Sequence, residues 1–103
     1  MFRQVVMCTW AEGVTPEAKQ GLRESLESLR EIPELLDMRW GEDAGHFEGN
    51  HDWVMVADFA DFESARRYVA HPLHQAYVQN HAAKVIGQRI IVQHDWAGGA
   101  DGS

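Results

Sequence analysis

Residues 68–81, YVAHPLHQAYVQNH, gather three of the chain's six histidines and both of its tyrosines around one proline. An imidazole titrating near its ordinary pKa of about 6.5 takes or gives a proton at neutral pH, and a phenol beside it can donate to an oxygen that is gaining charge. Tyr68 precedes His74 by six residues across the Pro72 break, so helical spacing does not set the distance between them. Two other uses compete for the same rings: metal ligation, and packing or capping at a helix junction.

His74, Val78 and His81, continued by Val85, form one row at helical spacing. A row mixing valine and histidine suits a boundary between core and cavity. His71 directly precedes Pro72, which disfavours helical backbone at that position, so it reads as closing one helix or capping the next. His71, Tyr77 and His81, with Trp40 and Trp53, are the candidate walls of a ligand pocket. All four tryptophans, Trp10, Trp40, Trp53 and Trp96, fall on expected strands, where core and subunit packing compete with ligand contact.

The metal alternative lacks ligands. H-P-L-H gives two histidines around a proline, and no third donor stands at a suitable spacing for a site that needs three or four. No metal and no cofactor are expected. His46 and His51 flank a glycine-punctuated loop and read as solvated.

The elements that must position these residues sit in a chain of 103 residues, the size of one domain. An apolar fraction of 45% and a charged fraction of 24% are those of an ordinary globular protein. A net charge of −7 argues against nucleic acid or an anionic membrane as partner, since both require a cationic face. No stretch approaches the roughly 20 apolar residues of a membrane span. The start, MFRQVVMCTW, is too short and polar for a signal peptide. A lone Cys8 rules out an internal disulfide framework and fits a reducing, cytoplasmic setting. The expected domain spans 1–96, and AGGADGS, 97–103, reads as a disordered tail.

Residues 2–10 read as a strand rich in β-branched, apolar and aromatic side chains. Thr15 as N-cap, Pro16 at the first helical position and Glu17 in the first turn open a helix. Its stripe is Leu22, Leu26, Leu29 and Ile32, and Pro33 ends it. LLDMRWGED reads as a second strand with Leu36, Met38 and Trp40 on one face. DWVMVADF is a third strand, DFESARRYVAH a helix capped by Asp61, PLHQAYVQNHAAKV a further helix, and residues 88–96 the last strand. The order β-α-β-β-α-β is the split unit of a ferredoxin-like α+β fold, with a four-stranded antiparallel sheet and helices on one face. Strand three carries Trp53, Met55, Ala57 and Phe59 on one side and Val54 and Val56 on the other; strand one sets Val5 and Met7 against Val6, Cys8 and Trp10. Both faces therefore need cover, and the simplest cover is the same face of a second copy.

With FRQVVMCTW, GVTPE, WG at 40–41, DFESARRYVAHPLH and a closing strand ending in Asp95, the chain resembles the stress-responsive dimeric α/β-barrel family; Y-x-x-H-P-x-H, Tyr68 to His74, is the most specific of these pieces. The resemblance implies a ferredoxin-like protomer whose sheets pair into a dimeric barrel. It also implies a range of functions. A plant polyketide cyclase of the family uses a tyrosine and a histidine as acid and base, and these fall on Tyr68 and His74. The first-strand histidine of that enzyme falls at or beside Gln4, so its substrate pocket is not carried over. Related dimers include cofactor-free quinone-forming monooxygenases and haem-degrading enzymes. Some members hold magnesium through backbone carbonyls, a stretch that maps to Leu29, Ile32 and Leu35. Three functions follow as expectations: a cofactor-independent cyclase or lyase acting on an aromatic or polyketide-like small molecule, a non-catalytic stress-response or ligand-binding dimer, and a cofactor-free monooxygenase.

Overall fold

In the computed structural model, which describes residues 1–97, the chain opens with strand β1, Phe2–Trp10. Helix α1, Pro16–Ser28, starts as its sequence dictates: the Thr15 hydroxyl accepts from the Ala18 N–H at 3.1 Å and Pro16 takes the first turn. Leu22, Leu26, Leu29 and Ile32 are all essentially buried. The regular helix stops earlier than the stripe, and a 3₁₀ turn, Leu29–Glu31, carries the last apolar positions round to Ile32.

Strand β2, Asp37–Glu42, corrects one expectation. Met38 is buried, but Leu36 is 54% exposed and Leu35 takes its place in the core. The Leu35 N–H bonds the Ile32 carbonyl in a turn after Pro33, and only from Leu36, whose N–H reaches the Asp58 carbonyl, does the chain join the sheet. Strand β3 is Trp53–Phe59. Helix α2, Phe62–Ala70, is capped by Asp61, whose carboxylate accepts from the Ser64 N–H at 2.8 Å.

The expected single helix from Pro72 is three pieces: α3, Pro72–Tyr77; a wide π turn, Val78–Ala82; and α4, Ala83–Val85. The Ala83 N–H reaches the Val78 carbonyl five residues back, which inserts one extra residue into the turn. Strand β4 follows at once, Ile86–Asp95, two residues earlier than expected, and leaves Trp96 just beyond it. A Cβ at Gly87 would lie 2.8 Å from the Trp10 carbonyl oxygen, so glycine allows this close crossing of β4 over the end of β1. The proposed tail, residues 97–103, lies outside the described residues apart from Ala97.

The sheet order is β2-β3-β1-β4, antiparallel throughout, the ferredoxin-like α+β arrangement. Phe2, Gln4, Val6 and Cys8 of β1 and Trp53, Met55, Ala57 and Phe59 of β3 are buried on the helix side. The opposite face aligns Val56, Val5 and Val92 in one row and Val54, Met7 and Ile90 in the next. Met7, Val54, Ile90 and Val92 are exposed there, so the apolar second face read from the alternation exists in the protomer.

Candidate functional site

Helix α2 buries Ser64, Ala65 and Tyr68 against the sheet, and Pro72 then breaks the helix and restarts it. At the junction His71 is extended, and its Nδ1 accepts from the Leu73 N–H at 3.1 Å. This places His71 as the N-cap of α3, as expected of it, and not on a pocket wall. The change of direction turns His74 back onto Tyr68, six residues earlier. Their ring centroids are 4.7 Å apart at 60°. Tyr77 follows at 5.9 Å from His74, and Phe59 lies 4.9 Å from Tyr68 on the sheet side.

Tyr68 is 0% exposed, and its buried hydroxyl has no hydrogen-bond partner among the described residues. Burial raises the pKa of Tyr68 and of Tyr77 far beyond the usual phenol range, so both stay protonated. Burial lowers that of His74, partly opposed by a hydrogen bond with the Val69 backbone, and the nearby Arg89 charge lowers it further. At neutral pH the result is a neutral imidazole against a neutral phenol, the protonation states of a base and a hydrogen-bond donor.

Beside these rings, between the helices and the sheet, lies a cleft of about 340 Å³ lined by Gln4, Phe62, Ala65, Val69, Gln75 and Gln93, among others. On its floor the Gln93 side-chain amide donates to the Gln4 carbonyl oxygen at 2.6 Å. Tyr68, His74 and Tyr77 do not form its walls; the cleft touches their chain neighbours Val69 and Gln75. A second cavity, about 580 Å³, opens on the other side of the sheet against Met7, Gly41, Asp43, Asn50, His51 and Val54.

The remaining candidates are not brought to the Tyr68–His74 pair. Trp53 is buried and stacks on Trp10 at 5.7 Å. The Trp40 indole N–H donates to Glu27 at 2.8 Å on the surface of α1. His81, in the π turn, packs over Gly21 of α1, where an added Cβ would meet its ring at 3.3 Å. Gln75, Gln93 and Arg89 are the residues that sequence reasoning missed. Only the register of β4 on β1, which pairs Gln4 with Gln93 and Cys8 with Arg89, shows which of its side chains face the helices.

Cys8 is wholly buried, and burial pushes its thiol up to about 11, which makes it a packing residue and a poor nucleophile. Among the described residues no group of three His, Cys, Asp or Glu side chains is placed to hold a metal. In the 29–35 stretch the Leu29 and Ile32 carbonyls already accept from the Ile32 and Leu35 N–H groups, at 3.0 and 3.1 Å. Each of these carbonyl oxygens keeps a second lone pair, and Glu31 and Glu34 lie in the same stretch. No metal step enters below.

The profile of the stress responsive A/B barrel domain matches residues 2–96, nearly the whole chain. The protein belongs to that family. Among solved structures it is similar to a dimeric ferredoxin-like protein of unknown function from Thermobifida fusca, at 31% identity and a TM-score of 0.83 over 92% of this chain and 90% of that one. A family protein from Mesorhizobium loti has a TM-score of 0.77 at 17% identity over 94% and 97% of the two chains. The hydroxynitrile lyase of Passiflora edulis has a TM-score of 0.79 at 12% identity over 90% of each chain, which shows a shared fold alone. No functionally curated protein matches the sequence closely enough to count as a relative. For this A/B barrel domain, then, the fold is shared with neighbours described as dimeric, and the chemistry must be argued from its own residues.

Proposed function

We propose that this A/B barrel protein is a homodimeric, cofactor-independent enzyme of the cyclase or lyase type, acting in the cytoplasm on an aromatic or polyketide-like small molecule. One observation carries the reading: a neutral His74 lies against Tyr68, whose buried hydroxyl has no hydrogen-bond partner among the described residues. A hydroxyl left unpaired in a core costs about 1–3 kcal/mol, and phenylalanine would fill the same space without that cost. Retaining tyrosine is explained if the hydroxyl meets a ligand oxygen.

In the proposed step His74 takes a proton from a carbon next to a carbonyl group. The electron pair left on that carbon forms a double bond to the carbonyl carbon, and the oxygen becomes an enolate that accepts from the Tyr68 O–H. The enolate carbon then attacks a second carbonyl to close a ring, and the new alkoxide takes back the proton that His74 holds; the reverse of that bond formation is a lyase reaction. To reach the pair a ligand must displace the side chains of Val69 and Gln75, which are exposed. The dimer rests on the apolar second face of the sheet and on neighbours described as dimeric. Among the described residues no helix is long and apolar enough to cross a membrane. The complete burial of Tyr68 favours a second reading, a non-catalytic ligand-binding dimer in which the rings hold the helix junction.

Proton abstraction can be tested without the natural substrate. Benzoylacetone in deuterated buffer should exchange its central hydrogens faster with the wild-type protein than with buffer, and His74→Ala should lose that acceleration while remaining folded. Equal rates for wild type, His74→Ala and buffer would remove the enzymatic reading and leave the binding one.

A further inference from the structure

Arginine pairing in this chain is nearly complete. Arg3 pairs with Asp58, Arg23 with Glu42, Arg30 with Glu27, Arg39 with Asp37, Arg66 with Glu63 and Arg67 with Glu34. Among the described residues only one arginine, Arg89, has no carboxylate in reach, although acidic residues outnumber basic ones by 16 to 9.

Its place is the helix-facing side of β4, opposite Cys8. There it bounds a cleft of about 260 Å³ with Val78, Ala82 and Ile86. Val78 follows His74 by one helical turn, and the Arg89 charge is felt at His74, Tyr77 and Cys8. Four residues along the same strand and on the same face stands Gln93, on the floor of the cleft already described. The two side chains thus leave the strand about 13 Å apart. Between them on that face Ile91 is 42% exposed. The helix side of β4 therefore offers a cation at one end, an amide pair at the other and apolar surface between.

We infer that Arg89 is the specificity-determining residue of the Tyr68–His74 site, and that its ligand is an elongated monocarboxylate. The carboxylate pairs with Arg89, the apolar middle lies over Ile91, and an oxygenated or aromatic far end reaches the Gln4–Gln93 pair. This rests on the reading that the site takes a small molecule, and it adds the charge and shape of that molecule. A planar guanidinium can meet a carboxylate with two parallel hydrogen bonds, as Arg3 does with Asp58 at 2.8 and 2.9 Å. The net charge of −7 repels an anion at a distance, so a local cation is what would hold it.

The test uses two probes of one shape, phenylhexanoate and its primary amide, titrated into wild type, Arg89→Gln and Arg89→Lys by calorimetry, with sedimentation and thermal melts of each variant. The carboxylate should bind wild type about tenfold tighter than the amide, the gain of one charge-assisted pair in a half-open cleft. Arg89→Gln should erase that preference without weakening the amide, and Arg89→Lys should keep part of it. Melts of all three should agree within about two degrees, because Arg89 has no partner to lose. Equal binding of the two probes to wild type, or a preference that survives Arg89→Gln, overturns the assignment of Arg89 while the amide's binding still upholds a small-molecule site. Failure of both probes to bind at millimolar concentration overturns the ligand class; the benzoylacetone experiment then decides separately whether the site is catalytic. A dimer weakened in Arg89→Gln would place the guanidinium against a carboxylate of the second copy and also overturn the proposal.

Discussion

Replacing Tyr68 by phenylalanine should make the protein more stable, the reverse of what most core substitutions do. The ring is 0% exposed and lies between Phe59 at 4.9 Å and His74 at 4.7 Å, contacts that phenylalanine keeps. What it loses is one hydroxyl with no partner among the described residues. A water in its place would need two or more polar partners, and none is offered where the hydroxyl itself has none. Relief of the unpaired group is worth about 1 kcal/mol or more. For a chain of 103 residues that corresponds to a rise in Tm of roughly 4–8 °C. Calorimetry at pH 7 should show it, with both proteins at one concentration because a dimer's melting point depends on concentration. The same variant should lose acceleration of benzoylacetone exchange. A fall in stability of 1 kcal/mol or more would refute the reasoning: the hydroxyl would then hold a bond in the folded protein and would not be free for a ligand.

Burial lowers the pKa of His74, so the unfolded chain binds a proton at that position that the folded chain resists. Stability should therefore be level above about pH 6.5 and decline as the pH drops below it, and His74→Ala should flatten that part of the curve in urea titrations at successive pH values. The depressed carboxylates of Asp61 and Glu27 act only nearer pH 4 and leave this window clear. A charge placed on the second face of the sheet should split the dimer: wild type should sediment as a dimer at micromolar concentration, and Val92→Asp, on the row shared with Val5 and Val56, as a folded monomer.

The fold was legible because each helix carries its own start signal and each strand its own alternation. Thr15, Asp61 and Pro72 mark helix starts by chemistry that acts within three residues, and the structure places all three where they were read. The errors fall where a distant contact overrides local pattern. Leu36 has the parity of Met38, yet the turn after Pro33 sends Leu35 inward in its stead. The row His74, Val78, His81 assumed an unbroken helix, and the π turn carries His81 away to Gly21. Helical spacing does not set the distance between Tyr68 and His74 across Pro72, and only the family resemblance joined them. Gln93 and Arg89 left no signal at all, since β4 shows apolar residues on both parities and only its pairing with β1 selects a face.

The plant cyclase of the family has a histidine at or beside the position where β1 here carries Gln4, and Gln4 is held by Gln93 at 2.6 Å. A hydrogen-bonded amide pair can orient a carbonyl or hydroxyl group, but it neither takes nor gives a proton near neutral pH. On the proposed reading, proton abstraction falls to His74, which lies beside the cleft and not in its wall, with Tyr68 as the neighbouring donor. The proposal thus has the sheet orient and select the ligand, through Gln4, Gln93 and Arg89, while the helices would supply the acid and base. Substituting the sheet residues should accordingly change which molecules bind, whereas substituting His74 or Tyr68 should stop turnover of a molecule that still binds.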